Sequence, residues 1–270
     1  MNDFLEICRG SEPLIVAFPH SGIDIPANLE ASFVSPWLAR KDGDWWIDRL
    51  YAFARDLGAT TIRTRISRSV IDCNRDPLGV SLYPGQATTG LCPVESFDGE
   101  PLYSGTGPDE TEIDHRRQSY FDPYHEAVST ELSRLRTRHA NVVLYDAHSI
   151  RSAIPRLFPG QLPQFSIGTN EGRTCAPALA KRVEQICASS GRSYVLNGRF
   201  KGGWTTRHYG VPHKGIHAIQ MELAIRGYHH EPTEPTQANW PGDYDPAYAA
   251  PLAATLSAIL KTCLAFATPE

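Results

Sequence analysis

The sequence predicts a single α/β domain over residues 1–270, in which a mostly parallel or mixed sheet is covered by helices on both faces. Three observations support this class. The length of 270 residues suffices for one large two-sided core. Segments of strand character alternate with segments of helical periodicity, and the central strands are almost continuously apolar, which is typical of strands buried on both faces. The chain contains no internal repeat that would divide it.

The first part of the chain predicts two strands with a helix between them. The apolar run at 14–18 ends in the turn-forming sequence at 19–22, which indicates a buried strand. Apolar residues recur at helical spacing over 44–57, and Gly58 stands where the C-terminal glycine of a helix is expected. Residues 60–66 alternate β-branched and polar side chains, so the chain is expected to return as a strand.

The middle of the chain predicts a loop, a long helix and a second central strand. Residues 79–108 are rich in Gly, Pro, Ser and Thr and lack periodicity, so we expect the lid or rim of an active site there. Residues 110–139 carry an apolar stripe at helical spacing. His125 is expected on the surface of that helix rather than as a metal ligand. The apolar run at 141–146 is a strand that we expect to end at Ala147-His148-Ser149.

The rest of the chain continues this alternation. Its predicted elements are strands at 165–167, 194–196 and 216–223, and helices at 176–189 and 249–265. The proline-rich stretch at 231–245 predicts a surface connection before the last helix rather than a linker between domains. This order favours one sheet over separate domains.

Composition excludes several classes of function. The net charge is −4 and the basic residues are dispersed, so nucleic acid is not an expected partner. The first residues lack the basic and apolar parts of a secretory signal, and no apolar run reaches the roughly 18–20 residues that span a bilayer. The six cysteines include no Cys-x-x-Cys pair. We therefore expect a cytoplasmic protein with reduced thiols and no membrane partner, a monomer or small homo-oligomer that binds a small molecule.

Two predicted strands end in the same way, each with a histidine: Phe-Pro-His-Ser-Gly around His20 and Asp-Ala-His-Ser around His148. Ligands collect at the carboxyl ends of strands in open α/β sheets. Imidazole is a good ligand for zinc or a similar ion, and a catalytic site needs about three protein ligands with one position left for water. The pair therefore predicts a metal site, although a structural role is the simpler interpretation of either histidine alone.

The third ligand is expected to be a carboxylate. Asp44 is preferred because a side chain at the start of a helix can project back toward the strand ends, although aspartate is also a common helix N-cap. A divalent metal is thus expected, with zinc as the ion that this ligand set favours. The sequence leaves open the alternatives Asp24, Asp42, Asp48, Asp146 and Glu222.

Arginines in two segments are candidate carboxylate binders. Arg68 and the pair Asn74-Arg75 follow the second predicted strand, where a guanidinium beside an amide can grip a carboxylate through two hydrogen bonds. Arg207 lies in a glycine-flanked stretch at 200–210, predicted to be a loop, and is a candidate for binding a second carboxylate or a developing oxyanion. The simpler interpretations are a surface salt bridge for Arg75, a turn at Asn74 and a solvent-exposed Arg207.

Glu222 stands inside the apolar strand at 216–223, where a buried carboxylate is costly unless it is paired or takes part in chemistry. It is therefore the expected general base, which takes a proton from water beside the metal and passes it to a leaving nitrogen. The alternative is a strand in which Glu222 and Gln220 face solvent. Ser21 and Ser149 lack the Gly-x-Ser-x-Gly sequence of a nucleophile elbow.

As an ordered series, these residues resemble the N-formylglutamate amidohydrolase family over nearly the whole chain, and that family's fold is similar to that of zinc carboxypeptidases and aspartoacylases. The resemblance implies metal binding at His20 and His148, a general base at Glu222, and recognition of an α-carboxylate by Asn74-Arg75. The sequences that carry it are Pro19-His20-Ser21-Gly22, Asp42-Gly43-Asp44-Trp45, Asp48-Arg49-Leu50-Tyr51, Ser67-Arg68, Asp72-Cys73-Asn74-Arg75, Pro123-Tyr124-His125, Asp146-Ala147-His148-Ser149, Gly168-Thr169-Asn170, Lys201-Gly202-Gly203, Thr206-Arg207-His208-Tyr209-Gly210 and Gln220-Met221-Glu222.

One position departs from the pattern of zinc exopeptidases. Those enzymes have a glutamate three residues after the first histidine, where this chain has Ile23. The third ligand must then come from elsewhere, and Asp44 is an inference that Asp24 or Asp48 could replace.

The activity implied by the resemblance is hydrolysis of N-formyl-L-glutamate to formate and L-glutamate, the last step of one route of histidine degradation. Three alternatives remain open. The first is an amidase for another N-acyl amino acid, and the second is a non-catalytic sensor of acidic metabolites. The third is a serine hydrolase that uses Ser21 or Ser149.

Overall fold

Seven strands form one sheet in the computed structural model, which describes residues 3–82, 85 and 88–268. The order across the sheet is β1-β3-β2-β4-β7-β5-β6. Four neighbouring pairs are parallel, and two, β1 with β3 and β5 with β7, are antiparallel. The predicted single α/β domain is confirmed, with a mixed sheet. The strands are β1 (Leu5–Cys8), β2 (Leu14–Phe18), β3 (Thr60–Thr64), β4 (Val142–Ile150), β5 (Phe165–Gly168), β6 (Tyr194–Leu196) and β7 (Ile216–Ala224).

Helices cover both faces of the sheet, as expected. Those on one face include α2, α5 and α7, and those on the other include α1 and α4. The α-helices are α1 (Ala27–Glu30), α2 (Ile47–Leu50), α3 (Glu110–Arg116), α4 (Asp122–Arg136), α5 (Pro177–Ser189), α6 (Trp204–Tyr209) and α7 (Pro246–Ala267). A π-helical turn, Arg117–Phe121, joins α3 to α4, and 3-10 turns lie at Leu38–Arg40, Ala52–Ala54, Pro212–Lys214 and Ile225–Gly227.

The central strand β2 explains why its sequence is continuously apolar. Successive side chains of a strand point to opposite faces of the sheet. Leu14, Val16 and Phe18 pack into the core cluster on one face, and Ile15 and Ala17 pack into the cluster on the other. Every position of β2 is therefore buried, and none offers a place for a polar side chain until the strand ends.

The prediction of one helix over 44–57 is wrong. The chain makes only the single turn α2 and the 3-10 turn Ala52–Ala54. Trp46, directly before α2, has a φ of 63°, a left-handed conformation from which a right-handed helix cannot extend backwards. The Asp44 amide donates to the His20 carbonyl at 2.9 Å. The residues before α2 are thus held against the end of β2.

The strand β4 is longer than predicted. It runs to Ile150, past the predicted end at 147–149, because β7 pairs with it along all nine of its residues. His148 therefore lies inside the strand and has Glu222 as its register partner. The stretch around Arg207, predicted to be a loop, contains α6.

The C-terminal helix α7 also differs from the prediction. It begins at Pro246 rather than at residue 249, because the Asp245 side chain caps its first turn. By length and composition α7 could cross a membrane, and no other helix in the described ranges could, so the statement that no segment reaches this length was wrong. Its side chains Leu252, Leu256 and Ile259 are fully buried in the domain core. In this fold α7 packs as a core helix.

Candidate functional site

Three buried side chains converge near the carboxyl ends of β2 and β4. His20 follows β2, His148 lies in β4, and Asp44 lies in the connection to α2. The two Nδ1 atoms are 3.2 Å apart, and Asp44 Oδ2 lies 3.8 Å from Nδ1 of His20 and 3.3 Å from Nδ1 of His148. Within the described ranges, this is the one group of three His, Cys, Asp or Glu side chains close enough to share a metal ion.

The spacing of these three atoms suits a tetrahedral metal. Ligands about 2.1 Å from a tetrahedral zinc stand about 3.4 Å from one another. The three observed separations of 3.2, 3.3 and 3.8 Å bracket that value. Two imidazoles and one carboxylate are also a ligand set that zinc takes in catalytic sites. The donor set therefore fits a divalent metal and leaves a fourth position for water or substrate.

The outer nitrogen of each imidazole is held by a buried carboxylate. His20 Nε2 lies 2.7 Å from Asp72 Oδ1, and His148 Nε2 lies 3.0 Å from Asp146 Oδ2. A carboxylate accepts a hydrogen bond from a ring N–H, so these contacts favour the tautomer with the proton on Nε2 and the lone pair on Nδ1. In that tautomer both lone pairs face Asp44, and a metal ion bound between the three acceptor atoms would relieve their mutual repulsion.

The charges around His148 favour a cation, whereas the surroundings of His20 keep that ring neutral, the form in which imidazole binds a metal. Burial lowers the pKa of His20, and the Arg68 guanidinium adds to this effect. Burial opposes the charged form of His148 as well, but the carboxylates of Asp146 and Asp44 outweigh it and raise the pKa of His148 well above its ordinary value. A field that stabilises a proton on this buried ring also stabilises a metal ion beside it.

Among the aspartates left open by the sequence, Asp44 is the one that lies near Nδ1 of both histidines, whereas Asp146 contacts His148 at Nε2. Asp44 Oδ2 accepts from the Ser149 amide at 3.1 Å, and no side chain caps α2, so the N-cap alternative is wrong. Asp24 pairs with Arg65 at 2.8 Å outside the cluster. Asp48 likewise lies outside it and pairs with Arg63.

Glu222 enters the site from β7. It is the register partner of His148 on the neighbouring strand, so the two side chains leave the sheet on the same face. Burial raises the pKa of Glu222 to about 8, although the charge of His148 opposes the shift. Gln220 Nε2 lies 3.4 Å from Glu222 Oε2. The alternative in which Glu222 and Gln220 face solvent is wrong, because both side chains are buried.

A cavity opens beside the cluster. Concave sites that combine apolar walls with a few polar groups are typical binding sites for small molecules. The segment 79–108 contributes part of its rim, although positions 83, 84, 86 and 87 of that segment lie outside the described residues. The described walls combine imidazoles, arginines, a glutamate and an apolar patch: His20, Arg68, Asn74, Arg75, Thr88, Thr89, Phe97, His148, Ile150, Leu157, Arg199, Phe200, Gly203, Gln220 and Glu222.

Arg68 and Arg75 share one carboxylate behind the cavity wall. Arg68 Nη2 donates to Asp72 Oδ2 at 2.7 Å, and Arg75 Nε lies 3.7 Å from the same oxygen. The Arg75 guanidinium also donates to the carbonyl and the hydroxyl of Thr89. Asp72, which the sequence suggested only as part of a longer motif, thus links both arginines to the cluster of His20, Asp44 and His148. Neither arginine is a simple surface ion pair.

Asn74 lies in the cavity wall, but its side-chain amide forms hydrogen bonds within the protein. Oδ1 accepts from the Thr205 amide at 2.8 Å, and Nδ2 donates to Asp146 Oδ2 at 3.3 Å. Nδ2 is also 3.0 Å from His148 Nε2. A β-carbon at Gly203 would lie 2.3 Å from Nδ2, which explains the glycine at that position. These contacts favour an orienting role over the expected grip on a carboxylate.

Arg207 is placed differently from the expectation. Its Nε donates to the Gly202 carbonyl at 2.8 Å and its Nη1 to the Leu82 carbonyl at 3.1 Å, and it is absent from the described cavity wall. Arg199 lies in that wall instead, and sequence reasoning missed it. Its position directly before Phe200, at the edge of the glycine-flanked stretch, was the one available signal.

The two candidate nucleophilic serines are engaged elsewhere. Ser21 Oγ accepts from Arg63 Nε at 3.1 Å, and Ser149 Oγ accepts from the Tyr228 hydroxyl at 2.7 Å. In the part of the chain that the structure describes, neither hydroxyl forms a hydrogen bond with a histidine. The serine-hydrolase alternative therefore lacks the adjacent base that activates such a nucleophile.

A mixed α/β sheet with a His-Asp-His cluster and a buried glutamate beside an arginine-lined cavity is the arrangement expected of a hydrolase that acts on a small anionic molecule. A sequence model of N-formylglutamate amidohydrolases matches residues 12–229. Two curated N-formylglutamate deformylases, from Pseudomonas aeruginosa and Pseudomonas putida, are each 44% identical over 98% of this chain, and the matches cover 96% and 97% of the relatives. The chain belongs to the N-formylglutamate amidohydrolase family.

Solved structures share the fold. An N-formylglutamate amidohydrolase from Ralstonia eutropha has a TM-score of 0.80 at 22% identity, with 97% of this chain and 98% of that chain covered. A gene product of Agrobacterium tumefaciens has a TM-score of 0.72 at 18% identity, with coverage of 97% and 95%. At these identities the likeness shows a shared arrangement of strands and helices and does not extend to the roles of residues.

Proposed function

We propose that this protein hydrolyses N-formyl-L-glutamate to formate and L-glutamate. One observation carries the proposal: the cluster of His20, Asp44 and His148 adjoins the same small cavity as Glu222, and three arginines line the described walls. Hydrolysis of a dianionic amide needs activated water, a general base and cations for two carboxylates. The curated relatives at 44% identity are named for this activity.

The proposal includes a divalent metal, zinc being the ion that the ligand set favours. His20 and His148 would hold it through Nδ1, and Asp44 through Oδ2. When bound, such an ion polarises a carbonyl group and makes water more acidic. The carboxylates of Asp72 and Asp146 support this role, because each orients one imidazole through Nε2.

Glu222 is the proposed general base. It accepts a proton from the water whose oxygen adds to the formyl carbon. It then donates this proton to the amide nitrogen as the carbon–nitrogen bond breaks, which yields formate and the free amine of glutamate. Burial raises the pKa of Glu222 above its ordinary value, which makes its carboxylate a stronger proton acceptor than an exposed glutamate.

The remaining charges are assigned to the substrate. Arg68 Nη1 lies 3.6 Å from Asp44 Oδ1, so this guanidinium is next to the proposed ligand and is assigned to the oxyanion that develops on the formyl oxygen. Arg75 is assigned to the α-carboxylate, and Asn74 orients the wall between them. We assign Arg207 to support of the rim through its bond to Leu82, in place of the expected contact with substrate.

The proposal extends to the cellular setting. Release of glutamate from its N-formyl derivative is the last step of one route of histidine degradation. A cytoplasmic enzyme with a small-molecule substrate, and without nucleic acid or membrane partners, accords with the net charge of −4 and with the packing of α7 in the core.

A formate-release assay tests this function. The purified protein is given N-formyl-L-glutamate, N-formyl-L-aspartate or N-acetyl-L-glutamate, before and after treatment with a chelator and after readdition of zinc. We expect release from N-formyl-L-glutamate to be fastest, to be lost with the chelator and to return with the metal.

This assay tests each part of the proposed function separately. Activity that resists complete metal removal would reject the metal. Equal rates with the three compounds would reject the substrate assignment. If none is cleaved while the protein binds them, a sensor of acidic metabolites becomes the better account.

A further inference from the structure

Arg199 adds a positive charge to the cavity that neither the sequence motifs nor the proposed chemistry uses. It lies in the segment after β6, is half-buried and lines the cavity wall. Its Nε donates to the Leu157 carbonyl at 3.2 Å, and its guanidinium carbon lies 5.4 Å from the centre of the Phe200 ring. These two contacts fix the plane of the guanidinium in the wall.

Arg199 reaches the cavity from a different side than the other two arginines. Arg68 and Arg75 belong to the segment that follows β3, whereas Arg199 follows β6. In the sheet, β3 lies on one side of the strands that carry His148 and Glu222, and β6 lies on the other side. The reacting groups are therefore flanked by positive charge from both directions, as a substrate with two separate carboxylates requires.

An apolar patch lies between the proposed metal site and Arg199. Ile150 is two residues beyond His148 in β4, so both side chains lie on the same face, about 6.7 Å apart along the strand. Leu157 and Phe200 pack against the hydrophobic cluster that contains Ile150, and all three line the cavity. A short aliphatic chain that starts at the reacting centre would be covered by these side chains.

We propose that Arg199 binds the side-chain carboxylate of the substrate and so sets the preference for glutamate. This inference rests on the proposed function. In an extended N-formylglutamate, five bonds separate the formyl carbon from the side-chain carboxylate carbon, a distance of roughly 6 Å. That length is close to the step from His148 to Ile150, so the two methylenes can lie over the apolar patch, whose Leu157 and Phe200 contact Arg199. An aspartate side chain is one methylene too short.

The other arginines are less suited to this role. Arg68 and Arg75 both lie near Asp72, at 2.7 and 3.7 Å, on the side of the proposed metal site. Arg207 donates to two backbone carbonyls away from the described cavity wall. Recognition of a carboxylate through the planar guanidinium fork also explains why an arginine stands at position 199.

A substrate pair isolates the side-chain carboxylate. N-formyl-L-norvaline has the chain length of N-formyl-L-glutamate but carries a methyl group where glutamate has its carboxylate. We expect Arg199→Gln to lower kcat/KM for N-formyl-L-glutamate about 100-fold, and for N-formyl-L-norvaline less than about 3-fold. Arg199→Lys keeps the charge without the fork and should lie between Arg199→Gln and the unmodified protein. Arg182→Gln, at an exposed arginine on α5, is the matched control and should change neither value.

The outcomes decide between a recognition role and a structural one. An equal loss with both substrates, or no loss with either, would overturn the assignment. Thermal unfolding of each variant detects a folding defect. If Arg199→Gln is defective, the comparison is made with Arg199→Lys.

Binding of the product separates this inference from the proposed function. By calorimetry, L-glutamate should bind Arg199→Gln at least about 10-fold more weakly than the unmodified protein, while L-norvaline binding is unchanged. If the unmodified protein releases no formate, the proposed function fails, but the binding comparison still tests Arg199. Equal effects on the two amino acids would overturn the role of Arg199 even in an active enzyme.

Discussion

Two buried histidines, His148 in the proposed metal site and His125 on α4, differ in what surrounds them. Burial opposes the charged form of both rings. Around His148, Asp146 and Asp44 outweigh burial, and its pKa rises well above the ordinary value. Among the residues that the structure describes, no carboxylate raises the pKa of His125, and burial lowers it to about 3 although its Nε2 donates to the Cys73 carbonyl at 2.9 Å.

The surroundings of His125 explain its neutral state. Its Nδ1 lies 3.2 Å from the Tyr209 hydroxyl, and the ring is enclosed by aromatic side chains. These are Phe121, Tyr124, Trp204 and Tyr209. Burial by itself therefore produces a neutral structural histidine. Carboxylates placed behind and beside the ring are what turn a buried histidine into part of a cation site.

The largest loss of activity is expected when the proposed base beside His148 is removed while the proposed metal ligands stay in place. Glu222→Gln should lower kcat about 1000-fold or more, because the side chain can no longer accept a proton, while metal content stays unchanged. Glu131→Gln is the matched control: it alters a buried glutamate that pairs with Arg9 and Arg134 away from the cavity. It should lower stability and leave kcat unchanged. A near-normal kcat in Glu222→Gln would remove Glu222 from the role of base.

A smaller effect should follow from weakening a carboxylate behind the cluster. Asp72→Asn removes the charge that faces His20 Nε2 at 2.7 Å, so we expect metal affinity to fall about 10- to 100-fold. Competition with a chelating dye measures this affinity. Asp48→Asn, a change at a half-buried carboxylate that pairs with Arg63, should leave the affinity unchanged. If the two variants bind metal equally well, Asp72 does not support the site.

The smallest expected effect is on the pH dependence of the free energy of unfolding, and it arises from the buried, neutral His125. An unfolded histidine has a pKa of about 6.5, and that of folded His125 is about 3. Protons therefore bind the unfolded chain first, and this histidine's stabilising effect is present above pH 6.5 and is lost as pH falls toward 3. In that window His125 contributes a slope of up to about 1.4 kcal/mol per pH unit.

Urea unfolding of metal-free protein at several pH values measures this slope. His125→Gln keeps a donor for the Cys73 carbonyl but has no titrating ring, so its free energy of unfolding should fall less steeply between pH 6.5 and 4 than that of the unmodified protein. Parallel curves for the two proteins would mean that His125 is not held neutral by the fold.

The sequence predicted most of the fold because the central strands and long helices have strong periodicity. It failed where a tertiary contact decides local structure, as at Trp46, whose left-handed backbone prevents a longer helix, and in the pairing that extends β4 past His148. His125 was expected on a helix surface, but it is buried against α6, a helix that the sequence analysis predicted to be a loop.

The candidate site was predicted unevenly for the same reason. His20, Asp44 and His148 could be proposed because strand ends meet at one edge of a parallel sheet. Which arginine faces a cavity depends on the path of irregular segments, which leaves no periodic signal. Arg207 was therefore chosen from the glycine-flanked stretch, whereas Arg199 is the residue of that region that lines the cavity.

The central claim is that His20, Asp44 and His148 form a metal site, and anomalous diffraction from crystals grown with zinc tests it most directly. We expect one strong peak about 2.1 Å from Nδ1 of both histidines and from Asp44 Oδ2, with Asp72 and Asp146 on the Nε2 atoms. A peak bonded through Nε2, or zinc bound elsewhere in crystals of active enzyme, would contradict the account.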